Sequence, residues 1–358
     1  MSGVHQDIVT IAATAQIAAP DRYRVDGQER QIPPSGTDDN ADARQARLLQ
    51  TMENELYYRC YRRPGEPFAT DPASADVDAM RGFAAALSAA NTGSGTWDPG
   101  WTVESVGADG QMNVRRDGVL YRAAAADVSG GADGLPLPAG ARARVRVSKE
   151  IRQLVQGFYM ALGDAAWPDP PDAQGRLARL YWALSAGAAP HYLRLITEAL
   201  NRLRLPFRTK VVRDPSQYRN ADAGVLYIPS GVVAKTWPAI ERTYWAINSG
   251  LRPVTPMFTH RLASGLGLAE DPGGGISFGQ SRCRIAAHGL WAAFEAGARE
   301  PDGRARHIAD AFAAQGIDPA HPHKRRDANL LAPVFGEAAA TAARTAAPAE
   351  EPRAWTHR

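Results

Sequence analysis

The chain has 358 residues, of which 44% are hydrophobic and 22% charged, enough to bury one large core or two smaller ones. Its 41 Lys and Arg exceed its 38 Asp and Glu by three, which excludes the strongly basic character of a nucleic-acid-binding domain and makes any basic site local. Only two cysteines occur, Cys60 and Cys283, too few and too far apart in sequence for a disulfide framework or a thiolate zinc site.

The opening segment MSGVHQDIVTIAATAQIAAPDRYRVDG lacks a basic stretch followed by an apolar core, so no secretory signal is expected. No run of about 18 apolar residues offers a membrane span. A cytoplasmic protein without membrane or nucleic-acid partners is the expectation. IPPSGTDDNADA, Ile32 to Ala43, is polar and rich in helix breakers, and a flexible segment is predicted over residues 1–43. ARQARLLQTMENELYYRCYRRP reads as helix, with Leu48, Met52, Leu56 and Tyr57 near helical spacing and Pro64 closing it; FAAALSAAN predicts a second helix. WTVESVG, QMNVRRDGVLYRA and ARARVRV, separated by Gly- and Pro-containing breaks, predict antiparallel hairpins. Together these elements make a small helical and β module over residues 44–147. Arg142, Arg144 and Arg146 share one strand face, a common solubility device of edge strands.

The second half begins with a predicted helix, SKEIRQLVQGFYMALGDA, capped by Ser148 and carrying Ile151, Leu154, Val155, Phe158 and Leu162 as an apolar stripe. Helices are predicted over Gln174 to Ser185 and His191 to Leu203. The strands PFRTKVV and GVLYIP follow, joined by the turn DPSQYRNAD. A helix from Trp237 to Asn248, a long loop, and a last helix from Gln280 to Gly297 complete the half. The predicted fold class is α+β, with helices packed on a mostly antiparallel sheet over residues 148–333 and the small helical and β module before it. An Ala-rich, charge-biased tail over 334–358 is expected to be disordered.

Two regions carry chemical potential. In PFRTKVV side chains alternate, so Phe207, Thr209 and Val211 point one way while Arg208 and Lys210 point the other. Such a basic face either meets water or binds an anion such as phosphate. The long loop contains Thr259, His260 and Arg261, then the glycines Gly273 to Gly275, and leads to Arg282 in the first turn of the next helix, where the dipole favours an anion. The glycine triplet is no P-loop, since no GK[ST] follows it. HPHKRR at His321 reads as a solvated polar segment rather than a ligand pair.

FYMALGD, LPFRTKVVRDPSQYRNADAGVLYI, RPVTPMFTHRLASGLGLAEDP and SFGQSRCRIAAHGL, in this order, resemble the recurring segments of the HopA-type effector family, and LYYRCYRRP resembles its usual opening. The resemblance covers about Glu53 to Phe294. In bacterial gene clusters such proteins accompany a small kinase in the biosynthesis of class V lanthipeptides of the lexapeptide type and of thioamitides. The resemblance therefore implies a lyase that removes phosphate from phosphorylated Ser and Thr of a precursor peptide, leaving dehydroalanine or dehydrobutyrine. Lys210 stands where the family keeps its strand lysine and Arg282 falls within the SFGxxRC segment, whereas His260 occupies a position that in the family often carries lysine.

Elimination needs a base at the Cα proton, an acid for the leaving oxygen, and cations that neutralise the phosphate. Lys210 is the expected base, His260 the expected acid with Tyr227 in reserve, and Arg208 and Arg282 the expected phosphate clamp, with Arg213 and Arg284 as second choices. No cofactor or metal is required. The expected partners are a phosphorylated precursor peptide, lying along a sheet edge, and a separate Ser/Thr-peptide kinase. Two other readings remain at this stage: a non-catalytic effector or peptide-binding scaffold, and a lanthipeptide cyclase.

Overall fold

The computed structural model describes residues 3–33, 40–65, 77–116, 119–130, 137–154, 157–168 and 176–325. The tail expected over 334–358 and residues 34–39 of the breaker-rich segment lie outside these. In chain order the elements are α1 (Gln6–Thr14), β1 (Ala15–Ala19), β2 (Arg22–Val25), β3 (Gln28–Gln31) and α2 (Ala41–Glu55), which runs into a π-helical turn, Leu56–Tyr61. Then come α3 (Val77–Ala90), β4 (Thr96–Val106), β5 (Gln111–Arg116), β6 (Val119–Ala124), β7 (Val128–Ser129), β8 (Arg142–Val147), β9 (Glu150–Leu154), β10 (Phe158–Leu162) and β11 (Leu177–Trp182). The remainder is α4 (Ala188–Arg202), β12 (Arg208–Val212), β13 (Gly224–Pro229), α5 (Val233–Ile247), β14 (His260–Ala263), β15 (Leu266–Glu270), α6 (Phe278–Glu295) and α7 (Pro301–Ala314).

A seven-stranded sheet, ordered β14-β15-β11-β13-β12-β10-β9, is antiparallel throughout its described pairs and forms the middle of three layers. On one side α3, α4 and α5 bury Leu87, Tyr192, Ile196 and Ile240 against Leu180, Val211 and Leu226. On the other, α1, α2, α6 and α7 bury Ile8, Leu48, Ala286 and Phe312 in one core with Tyr181, Val225 and Ala269. A separate five-stranded sheet, ordered β6-β5-β4-β8-β7, closes its own small core around Val103, Met112, Val114 and Val145. The fold is α+β, as the sequence predicts.

Several local expectations are corrected. The helix expected from Ser148 is the hairpin of β9 and β10, turned by Gly157 at φ 79°, a conformation glycine adopts without a Cβ penalty. Ser148 caps no helix; its hydroxyl accepts from the Glu150 amide at 3.3 Å. The helix expected from Gln174 is β11, whose Ala178 through Trp182 are all buried. The second error has a physical cause: β11 is covered on both faces and so loses its alternation, and its continuous apolar run then imitates a helical stripe. The long loop contains the β14–β15 hairpin.

Residues 3–33 are not the flexible start expected of them, because Ile8, Ile11, Ile17, Tyr23 and Val25 are buried in the core that contains α6 and α7. The helices of the 44–147 module do not stand apart either: Leu48 and Met52 of α2 join one core of the central sheet and Leu87 of α3 joins the other. Among the described residues of that module, only β4 to β8 form a unit with its own core. Among the described residues, no helix is long and apolar enough to cross a membrane.

Candidate functional site

The strand β12 sends Thr209 and Val211 into the core beneath α4, where the Thr209 and Tyr192 hydroxyls lie 2.9 Å apart. Alternation then commits Arg208 and Lys210 to the opposite face of the sheet. Directly paired residues share a face, and the register pairs Arg208 with Tyr227 and Tyr227 with Arg179. Three side chains from three adjacent strands thus stand in one row, with Lys210 two residues along from Arg208.

Aromatic rings set these cations in place. The Arg208 guanidinium is exposed and lies 4.2 Å from the centre of the Trp167 ring, and the half-buried Lys210 Nζ lies 4.2 Å from that of Phe158. Arg179 lies 5.4 Å from the Tyr227 ring centre. It is buried, with its Nε 2.6 Å from Asp271 and its Nη2 donating to the Ile276 carbonyl at 3.0 Å. Burial opposes the charge of Arg179, but the neighbouring Tyr181, Asp271 and Tyr227 outweigh it and raise the pKa. Arg179 escapes the sequence reading because β11 is taken there for a helix; as a strand, LARLYW places Arg179 and Tyr181 on one face.

The other expected ligands are elsewhere. Arg282 is 1% exposed, and its Nε, Nη2 and Nη1 donate to the Pro322 carbonyl at 2.7 Å, the Lys324 carbonyl at 2.9 Å and the Ser281 hydroxyl at 3.1 Å. Its guanidinium also lies 4.7 Å from the Phe278 ring centre. Burial lowers its pKa to about 10. Arg282 is a strut fastening the segment after α7 to α6, not a phosphate ligand. Arg284 projects from α6 to Glu53 of α2, with Nε 2.9 Å from the carboxylate. Arg213 follows β12 on the parity of Thr209 and Val211, opposite Arg208 and Lys210, and lines a cavity beside α3.

His260 is also removed from this face. β15, β11 and β13 stand between β14 and β12, a separation of ~19 Å at ~4.8 Å per strand. Its ring is 5.0 Å from that of His323, so it cannot serve as the acid beside Lys210. His323 itself is buried rather than solvated, and burial, followed by the charges of His260, Lys324, His321 and His5, lowers its pKa to about 3. Among the described residues, no group of three or more His, Cys, Asp or Glu side chains is placed to hold a metal ion.

An antiparallel sheet between two helical layers, bearing Arg208, Lys210, Tyr227 and Arg179 on one face, defines an α+β protein with a cationic, phenol-bearing surface. Residues 150–324 match the HopA1 effector protein family. Similar solved structures include the effector protein from Pseudomonas syringae pv. tomato strain DC3000, at 14% identity and TM-score 0.43, with 78% of this chain and 94% of that chain covered. The effector protein from Pseudomonas syringae pv. syringae strain 61 aligns at 15% identity and TM-score 0.44, with 78% and 96% covered. No curated protein matches the chain.

Proposed function

We propose that the protein is a phosphoserine/phosphothreonine lyase that eliminates phosphate from a kinase-modified precursor peptide, giving dehydroalanine or dehydrobutyrine in the biosynthesis of lanthipeptide-like peptides. The observation that carries this reading is the placing of Lys210, Arg208 and Tyr227 on one sheet face. Lys210, as the free amine, takes the Cα proton. The electron pair left behind becomes the Cα=Cβ bond as the Cβ–O bond breaks, and the phosphate departs with the bonding pair. Arg208 holds that phosphate; a guanidinium stacked on an aromatic ring keeps its N–H fork in its own plane, suited to two phosphate oxygens. The Tyr227 hydroxyl donates the proton to the leaving oxygen. Arg179 acts as a positioning residue: it fixes the Tyr227 ring from the far side of the row while Asp271 holds its own head.

The partners in this reading are the phosphorylated precursor peptide and the separate kinase that modifies it. Mass spectrometry of phosphothreonine and phosphoserine peptides incubated with the purified protein tests it. Loss of one phosphoric acid from the peptide is the expected result. Unchanged mass with retained binding would replace the lyase by a HopA-like peptide-binding scaffold.

A further inference from the structure

The side chains of Val77, Met80, Arg81 and Ala84 form one stripe of α3 at three- and four-residue spacing. With Arg152 of β9 and Arg213 they line a cavity of ≈ 460 Å³. Three guanidinium groups around one concavity repel each other unless anions share the space. Two of them have carboxylates: Arg81 lies 2.8 Å from Asp78, and Arg152 pairs with Glu150. Glu150 is itself engaged further, accepting from the Tyr159 hydroxyl at 2.7 Å and the Ser88 hydroxyl at 2.9 Å. The half-buried Arg213 has no side-chain hydrogen bond or ion pair among the described residues, its one polar contact being its backbone amide to the Gly157 carbonyl at 3.0 Å. Among the described residues the cavity therefore keeps an uncompensated positive charge.

A second observation concerns the strand beside it. β9 is an edge of the seven-stranded sheet, and its outer backbone has no strand partner among the described residues. Glu150 pairs with Ala161, so Glu150 and Arg152 face α3. Ile151 pairs with Met160 on the other face and is 39% exposed. An edge strand offers backbone hydrogen bonds to an added strand, whose alternate side chains then fall on opposite faces. Here one face presents a basic cavity and the other an apolar side chain.

We propose that the β9 edge and the adjoining α3 cavity dock an extended peptide segment of alternating acidic and apolar side chains, the acidic ones entering beside Arg213. The stripe from Val77 to Ala84 is ~10 Å long at ~1.5 Å per residue, the length of about three residues of extended chain. Two alternate acidic side chains span it. This docking stands apart from the elimination chemistry, because it needs neither a phosphate nor Lys210.

The test is fluorescence anisotropy at low salt with fluorescein-labelled short peptides of repeated Glu-Val or repeated Lys-Val. Saturable binding of the Glu-Val peptide alone is expected. Arg213→Gln, which keeps most of the side-chain stem, weakens it by about ten-fold, and Arg213→Glu weakens it more, with thermal melting unchanged in both. N-methylation of alternate peptide amides weakens it as well, whereas Lys210→Ala leaves it as it is. Elimination from a short phosphopeptide persists in Arg213→Gln, which separates failure of the docking from failure of the lyase. Absence of saturable binding, equal binding of the Lys-Val peptide, equal affinity in both Arg213 variants, or indifference to N-methylation would each overturn the proposal.

Discussion

Arg282 on α6 and Arg208 on β12 lie at opposite extremes of burial within one pair of packed layers. Arg282 sits beneath the segment after α7, with every guanidinium nitrogen turned to a carbonyl or hydroxyl of its own chain. Arg208 is exposed, stacked on Trp167, and shares its face with Lys210 and Tyr227. A buried cation whose donors are used internally holds chain segments together. An exposed, aromatic-braced cation next to a lysine and a phenol has the means to meet a ligand. Substitutions in the two regions should therefore separate rate from stability.

The largest effect belongs to Lys210. Lys210→Ala is expected to lower the elimination rate by ~10²–10⁴-fold, the usual contribution of a positioned base, with stability changed by about 0.5 kcal/mol or less. Lys210→Arg fails equally, because a guanidinium does not give up its proton. Single-turnover mass spectrometry alongside urea unfolding checks both halves. Arg208→Ala comes next: losing a charge-assisted hydrogen bond of ~1.5–3 kcal/mol lowers kcat/KM by ~10–100-fold, again with the melting curve in place.

Arg282→Ala reverses the pattern. It strands buried acceptors and opens a gap, so ~2–4 kcal/mol of stability is lost, read as a lower urea midpoint with an unchanged slope. Elimination per folded molecule stays close to that of the parent. An equal fall in rate for Arg282→Ala and Arg208→Ala, without loss of stability in either, would erase the distinction between the two regions.

The smallest effect near neutral pH is a pH dependence at the same end of the molecule as Arg282. His323 has its pKa lowered from 6.5 to about 3, first by burial and then by nearby cations. Between these values the unfolded chain holds a proton that the folded chain does not, so stability rises with pH and falls as pH drops below 6.5 toward 3. The slope is ~1.4 kcal/mol per pH unit for one group. Replacing the imidazole in His323→Phe should flatten this limb, as measured by urea unfolding at a series of pH values. A limb equally steep in the variant would assign it to other groups.

The basic face was legible because PFRTKVV and GVLYIP keep clear alternation or strand punctuation, and helical spacing placed α4, α5 and α6 within a few residues. Arg179 was hidden by the double burial of β11. Arg282 was misjudged by type and loop context although a signal was present: Phe278, Arg282, Ala286, Gly289 and Leu290 fall on one helical stripe, which α6 buries. Arg284, two positions on, leaves that stripe and is half exposed. The start of the chain looked flexible because the partners of Ile8, Ile11 and Ile17 lie almost 300 residues later, in α6 and α7, beyond any local pattern.

The central claim is that the chemistry resides on the β12–β13 face and not at the histidines near β14. The most direct measurement is a time course of phosphate elimination from one phosphothreonine peptide by the parent protein, Lys210→Ala and His260→Ala, each first shown to be folded by its melting curve. The account predicts dehydrobutyrine formation by the parent and by His260→Ala, and none at matched times by Lys210→Ala. Elimination by folded Lys210→Ala at the parent's rate, with loss of it in His260→Ala, would contradict the account.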